Sequence, residues 1–157
     1  MVLRNKKWLV FVVSLVIVYG IAFIGNLFTS SAVQSSWYQQ IRPSITPPNY
    51  VFPIVWNILF FLIGLSLAFS WINSKNKKQR KIVAFAFGFN LFLNVLWSVL
   101  YFGLKNPTWA FVDIILILFS IIWMILVVRK INKKATWMLV PYLLWVSFAS
   151  ILNFLSI

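Results

Sequence analysis

Residues 37–56 read WYQQIRPSITPPNYVFPIVW and form the only long polar interval between hydrophobic blocks in this chain. Four of the chain's six prolines lie here, at Pro43, Pro47, Pro48 and Pro53. Each proline fixes φ and removes a backbone donor, so this interval cannot form one regular helix. The residue before each proline is also pushed towards extended backbone. We therefore predict a stiff, aromatic lid at a membrane surface; the alternative is a connector whose aromatic side chains anchor at headgroup depth.

The hydrophobic blocks on either side of this interval determine the fold class. The chain has 157 residues, of which 62% are hydrophobic, and its mean hydropathy is +0.95. A helix needs about 20 apolar residues to cross a bilayer. The sequence predicts an all-α polytopic membrane protein, a five-transmembrane-helix bundle forming a single domain over residues 1–157. The predicted helices are roughly residues 8–28, 51–72, 82–104, 107–128 and 136–157, and the lid is the loop of residues 29–50.

Positive charge is distributed very unevenly along the chain, whose formal net charge is +13. Twelve of the fourteen Lys and Arg residues lie before the first block, between the second and third, or between the fourth and fifth. Arg42 and Lys105 are the two exceptions. Loops rich in Lys and Arg stay in the cytoplasm, which predicts a cytoplasmic N-terminus, an outer lid and an extracytoplasmic C-terminus in a plasma membrane. This topology explains the charge without nucleic acid as a partner, and the basic loops can also contact anionic lipid headgroups.

The residue types available exclude most catalytic chemistry. The chain has no His, no Cys and one acidic residue, so no metal site of the usual ligands and no cofactor is predicted. Nucleophile–base pairs and carboxylate dyads are excluded as well. The acid, Asp113, lies within the fourth block, where a carboxylate suggests a functional site such as that of a proton-coupled exporter. We favour a protonated or hydrogen-bonded Asp113 that holds helices together, because a lone acid has no partner for acid–base work.

Polar and aromatic residues recur at helical spacing on one face of several blocks. Asn90, Asn94 and Trp97 share a face of the third block, and Trp109, Asp113 and Leu116 share a face of the fourth. Such faces turn towards protein rather than lipid. In the protein interior they either line a cavity or join helices through hydrogen bonds. Ala84 and Gly88 have the spacing of a close helix contact, which makes them a possible dimer contact.

Motifs in several blocks resemble those of a known family. The pieces are WYQQIRPSITPP followed by VW, then NLFLNVLWS, WAFVD and PYLLWVSFASILN, in this order over nearly the whole chain. They are similar to the translocator protein family (TspO/MBR), the tryptophan-rich sensory proteins formerly called peripheral benzodiazepine receptors. The chain departs from that pattern at Ile45, where the family usually has tryptophan, and at Pro53-Ile54, where it usually has Gly-Pro. Both departures lie in or beside the lid and affect lid closure and ligand preference.

The resemblance implies a five-helix bundle, often dimeric, with a pocket under the first loop. Members of this family bind protoporphyrin and related tetrapyrroles, isoquinoline carboxamides and benzodiazepines. The leading hypothesis is thus a receptor or carrier of porphyrin-like ligands, with a sensory or regulatory role in tetrapyrrole or stress response. Two alternatives are light-dependent oxidative breakdown of porphyrin by Trp56 and Trp145 and a small hydrophobic-compound transporter. The resemblance and the face patterns together predict ligand contacts at Tyr19, Trp37, Tyr38, Pro47, Pro48, Trp56, Phe60, Asn90, Asn94, Trp97, Trp109, Asp113, Leu116, Trp145, Phe148, Ala149, Leu152 and Asn153.

Overall fold

The computed structural model describes residues 7–157 as a bundle of helices, and within this part of the chain there is no β-strand. Five helical stretches are long and apolar enough to cross a membrane. This confirms the predicted all-α, five-span architecture. Arg4 and Lys6, two of the cations used to predict the orientation, lie outside the described residues. The long helices are α1 (Lys7–Thr29), α3 (Val51–Asn73), α4 (Lys77–Ser98), α5 (Pro107–Arg129) and α6 (Lys133–Phe154); α2 (Ser36–Ile41) is short.

Asparagine side chains begin three of the long helices. The Oδ1 atoms of Asn76, Asn106 and Asn132 accept hydrogen bonds from the backbone N–H three residues later, at 2.9, 3.1 and 3.0 Å. Each asparagine is thus an N-cap, whose side chain provides a partner for a backbone N–H group that the first helical turn leaves unpaired. Helix α4 consequently begins at Lys77, although residue 82 was predicted, because its cap lies in the basic segment that precedes the apolar block.

The five long helices pack in a closed ring. Around it, α1 packs on α3, α3 on α6, α6 on α5, α5 on α4, and α4 again on α1. The core between them includes Val18, Ile63, Phe87, Ile121 and Tyr142, each exposed by no more than 1%. Neighbours in the ring are not simply neighbours in sequence, since α3 and α4 make little contact. A ring of five helices encloses a central space, which is either filled by side chains or left as a cavity.

The lid, predicted as a loop over residues 29–50, is helical in its first half. A 3₁₀ turn (Ala32–Gln34) precedes α2 (Ser36–Ile41). The Ser35 hydroxyl caps α2 by accepting a hydrogen bond from the Tyr38 backbone N–H at 3.3 Å. Helix α2 ends before Pro43, as expected from the restriction on the residue preceding a proline.

The second half of the lid is a proline-rich connection without regular structure. Backbone hydrogen bonds close two turns in it, from Thr46 N–H to the Pro43 carbonyl at 3.0 Å and from Val51 N–H to the Pro48 carbonyl at 2.9 Å. The Arg42 Nη2 group donates to the carbonyl oxygens of Thr46 and Pro47 at 3.3 and 2.7 Å. The segment is therefore held by its own hydrogen bonds as well as by its prolines.

The lid rests on a five-residue π-helical turn (Val99–Gly103) that continues α4. The Trp37 ring lies edge-on to the Tyr101 ring, with centroids 5.9 Å apart, and the Tyr38 and Phe102 rings are 5.6 Å apart. Such π-helical turns are uncommon and occur frequently at functional sites. Here the turn carries two adjacent aromatic residues that are both buried against the lid.

Close packing of α1 on α3 depends on Gly64, and this leads to a stability prediction. A Cβ at Gly64 would lie 2.7 Å from Leu15 Cδ2 and 3.4 Å from Leu15 Cα, whereas a Cβ at Gly20 would meet nothing within 4 Å. We expect Gly64→Val to destabilise the protein by about 1–3 kcal/mol through overpacking, seen as a lower melting temperature in detergent. Gly20→Val is the matched control, since it makes the same change on an open helix surface. Equal melting temperatures for the two variants would contradict the proposed close contact.

Candidate ligand-binding cavity

A cavity of about 410 Å³ lies inside the ring, at the end of the bundle that the lid covers. Its lining comes from the lid and from all five long helices, together with the π-helical turn. This volume lies within the range of small-molecule sites, about 300–1,000 Å³. Arg42, at the end of α2, is not part of the lining, and among residues 7–157 no Lys, Arg or Asp residue is.

One wall of the cavity is built from the indoles of α3 and α6. The Trp56 ring stacks on Phe60 with centroids 5.2 Å apart and meets the edge of Tyr142 at 6.2 Å. The Trp145 ring meets the edge of Phe52 at 5.8 Å. Each indole is thus oriented by neighbouring rings, and together they form an apolar wall suited to a flat ring system.

The opposite wall comes from α4 and its π-helical turn. The Trp97 and Tyr101 rings stack with centroids 4.9 Å apart at 20°. The Trp97 Nε1–H group donates to Asn153 Oδ1 at 2.9 Å, and the Tyr101 hydroxyl donates to Ser156 Oγ at 2.9 Å. Asn153 in turn donates from Nδ2 to the Pro107 carbonyl at 2.9 Å. These bonds tie the aromatic wall to the end of α6 and the start of α5.

A buried polar network lies directly behind the cavity. Asn90 donates from Nδ2 to Ser120 Oγ at 2.7 Å, and its Oδ1 accepts from the Tyr142 hydroxyl at 3.0 Å. Asn94 Nδ2 donates to the same Tyr142 hydroxyl. Asn94 lines the cavity, whereas Asn90 is completely buried behind it. The network satisfies polar side chains of α4, α5 and α6 with one another, as hydrocarbon surroundings require.

Two polar atoms of the lining residues have no hydrogen-bond partner among residues 7–157. They are Trp145 Nε1 and Thr46 Oγ1, both buried. Leaving such a group unpaired costs free energy, so each is an unmet hydrogen bond within the cavity wall.

Half of the eighteen candidate contacts line this cavity. They come from the lid, α3, α4 and α6, and are Tyr38, Trp56, Phe60, Asn94, Trp97, Trp145, Ala149, Leu152 and Asn153. Both indoles considered for porphyrin breakdown are among them. The fifth block contributes most, because its predicted inner face is the one that α6 turns towards the cavity.

The remaining candidates outside α5 lie near the cavity without lining it. The Tyr19 hydroxyl donates to the Asn57 carbonyl at 3.0 Å on the exposed side of the α1–α3 contact. Trp37 packs against Tyr101 on the outer side of the π-helical turn, and Phe148 packs against the Trp145 ring at 5.7 Å. Asn90, Pro47 and Pro48 are likewise outside the lining.

The predicted inner face of α5 differs from the face that the structure turns towards the cavity. Trp109 and Leu116 are 62% and 47% exposed on the outer surface, and Ile114 and Ile117 line the cavity instead. The two faces are related by a rotation of about 100°, one residue of an α-helix. Asp113 is buried between these faces and its carboxyl oxygens have no hydrogen-bond partner among the described residues. We favoured a protonated or hydrogen-bonded Asp113, and of these two alternatives the hydrogen bond is not observed.

Several lining residues were not among the candidates. Gly25 of α1 faces Ser98 of α4, and a Cβ at Gly25 would lie 3.3 Å from Ser98 Oγ. Thr46 and Asn49 of the lid also line the cavity. The spacing of Ser98, four residues after Asn94, was a usable signal. The contribution of the lid residues depends on how the lid folds back and left no signal in the local sequence.

Comparison with known proteins gives a consistent family. The model of the TspO/MBR family matches residues 12–156. Tryptophan-rich protein TspO of Archaeoglobus fulgidus is 42% identical over 144 residues, covering 91% of this chain and 92% of that protein. Its counterpart in Chlorobaculum tepidum is 37% identical over 96% of this chain and 95% of its own. The human translocator protein is 27% identical over 84% of this chain and 79% of its own. The chain thus belongs to the TspO/MBR family.

Proposed function

We propose that this protein is a membrane receptor or carrier that binds flat, apolar ring systems, protoporphyrin IX above all, in the cavity beneath the lid. The observation that carries the proposal is the pair of indoles, Trp56 and Trp145, on one wall of an uncharged cavity of about 410 Å³. Large aromatic surfaces favour offset or edge-on contact with other rings. Isoquinoline carboxamides, which carry a carbonyl acceptor, are suitable probes of the same cavity.

The family relationship supports this proposal in general terms. Relatives carry the names tryptophan-rich protein and translocator protein, and the second name indicates movement of a ligand. A sensory role in the tetrapyrrole or stress response needs only ligand-dependent occupancy of the cavity. Binding is therefore the step common to the receptor, carrier and sensory hypotheses, and it is the first to test.

Removal of an indole from the cavity wall should weaken porphyrin binding. We expect Trp56→Leu and Trp145→Leu to raise the Kd for protoporphyrin IX about three- to tenfold, since each loses one aromatic contact with the ligand. The measurement is a titration in detergent in the dark, followed by the absorbance of the porphyrin.

Trp109→Leu is the matched control, because it removes an indole that is 62% exposed outside the cavity. Wild-type affinity in this control, with weaker binding in the other two variants, supports the cavity. Equal affinity in all four proteins, or titrations that never saturate, would remove the porphyrin proposal and leave the fold intact.

Photo-oxidative breakdown of porphyrin is a second candidate, favoured by the presence of both Trp56 and Trp145 in one lining. Illumination of the same complexes in air separates the two functions. Loss of porphyrin absorbance that needs light, oxygen and these indoles would add an activity to binding. Loss at the same rate with Trp56→Phe and Trp145→Phe would be ordinary bleaching.

A proton-coupled transporter is less well supported. Such a mechanism needs an acid that faces the transport pathway, whereas Asp113 is buried outside the cavity lining. Ligand-driven flux in liposomes that depends on pH and is lost with Asp113→Asn would favour this alternative nevertheless.

We also propose that the lid faces outward and the basic loops face the cytoplasm in a plasma membrane, because loops rich in Lys and Arg stay in the cytoplasm. Because the chain has no cysteine, single cysteines can report on each side. In intact cells, we expect a membrane-impermeant maleimide to label Ser44→Cys in the lid and to label Lys78→Cys only after permeabilisation. Both positions are exposed. The reverse pattern would invert the topology.

We also propose a homodimer that uses the surface of α4. Ala84 and Gly88 are exposed there, and a Cβ at Gly88 would meet nothing within 4 Å, so a second helix can approach closely. We expect wild type in mild detergent to have the mass of two 18.3 kDa chains and Gly88→Leu to shift towards one. Gly20→Leu, on the open surface of α1, is the control. A wild-type monomer, or an unchanged dimer in Gly88→Leu, would contradict this interface.

A further inference from the structure

The described part of the cavity lining carries no charge with which to receive an ionised ligand. Among residues 7–157 it includes no Lys, Arg or Asp residue. Taking an unpaired carboxylate out of water is strongly unfavourable. An acidic ring compound can therefore enter only if its apolar body occupies the cavity and its carboxylate stays where a positive charge can reach it. The position of the nearest cations consequently bears on which ligands bind.

Arg42 lies on the lid, beside residues that line the cavity. Its backbone N–H donates to the Tyr38 carbonyl at 2.9 Å, and Pro43 follows it directly. Tyr38, Pro43 and Thr46 all line the cavity. The guanidinium, bound to the Thr46 and Pro47 carbonyls, is thus held on the lid close to residues of the cavity lining.

Much of the hydrogen-bonding capacity of this guanidinium is unused. An arginine side chain has five N–H donors in a planar fork, and within residues 7–157 both of its hydrogen bonds use Nη2. Neither Nε nor Nη1 is a buried atom without a partner, so both keep some exposed surface. Two N–H groups in this arrangement match the two oxygens of a carboxylate.

The charge of Arg42 has no side-chain carboxylate to offset it. The single acidic residue of the chain, Asp113, is buried in α5. The charge nevertheless acts on a residue of the cavity lining. Burial raises the pKa of the Tyr38 hydroxyl, and the positive charge of Arg42 lowers this pKa in part. Arg42 is therefore an unneutralised cation close to a residue of the lining.

We propose that Arg42 determines ligand specificity by binding the carboxylate of an acidic ring ligand whose apolar body lies in the cavity below. The inference rests on the proposed function and makes it more specific, since it names acidic flat ring compounds as the preferred class. Arg42 thus serves twice, as the clamp that holds the Thr46–Pro47 carbonyls and as the anion contact beside the cavity.

Lys105 provides a comparison within the same chain. It is the other cation outside the basic loops and lies in the turn between α4 and α5, exposed to solvent and outside the cavity lining. Replacing Lys105 changes the net charge of the lid side by the same amount as replacing Arg42. An effect seen at Arg42 and not at Lys105 is consequently local rather than a general effect of charge.

The experiment compares protoporphyrin IX with its dimethyl ester, which keeps the ring and lacks ionised carboxylates. Each ligand is titrated at neutral pH into wild type, Arg42→Gln, Arg42→Lys and Lys105→Gln. The quantity compared is the preference for the acid, which is the Kd of the ester divided by the Kd of the acid. We expect this preference to be about tenfold larger in wild type and Lys105→Gln than in Arg42→Gln, the size expected for one charge-assisted contact. Arg42→Lys should retain part of this preference, because it keeps the charge and loses the fork.

The ester also reports on the lid. If Arg42→Gln leaves the ratio of the two affinities unchanged, the inference is wrong. Equal weakening of acid and ester would then mean that Arg42 is only a clamp on the lid, and unchanged affinities would mean that Arg42 does not act on either ligand. If neither ligand binds wild type saturably, the proposed function itself fails, and that result is distinct from both of these.

Discussion

Polar groups in hydrocarbon must find their partners inside the protein, and this constraint holds the bundle together around its cavity. The hydroxyl of Tyr142 joins Asn90 and Asn94, and Asn90 continues the chain of hydrogen bonds to Ser120. Three helices are thereby fixed at one level of the membrane. Trp56 packs against the same Tyr142 ring, so the network that satisfies polar side chains also positions an aromatic wall of the cavity. Without it, apolar contacts alone would tie α4, α5 and α6 at this depth.

Hydropathy and charge were sufficient to predict the five spans, because both reflect the bilayer rather than the interior of the protein. The inner face of α5 could not be predicted in the same way. Lipid and an apolar cavity select similar residues, so Ile114 and Ile117 carry no mark that separates them from Leu116. Asn153 of α6, by contrast, needs hydrogen-bond partners that lipid cannot provide, and it finds them in Trp97 and Pro107. The inner face of α6 could be predicted because it carries such a residue.

The lid was predictable in its prolines and not in its helix. Six residues are too few to form a stable helix alone, so α2 depends on its Ser35 cap and on the rings of the π-helical turn beneath Tyr38. That turn is itself a deviation from the regular α-helix that the sequence pattern predicts through Tyr101. Two irregular segments thus stabilise each other across a distance in sequence that local patterns do not span. The same limit applies to Thr46, whose place in the lining follows from the turns of the lid.

The π-helical turn connects the lid with the C-terminal residues. Tyr101 contacts the lid through Trp37 and the last turn of the chain through its hydrogen bond to Ser156. Movement of the lid therefore disturbs a side chain that also anchors the end of α6. The last turn of the chain is thus coupled, through a single side chain, to the segment that covers the cavity.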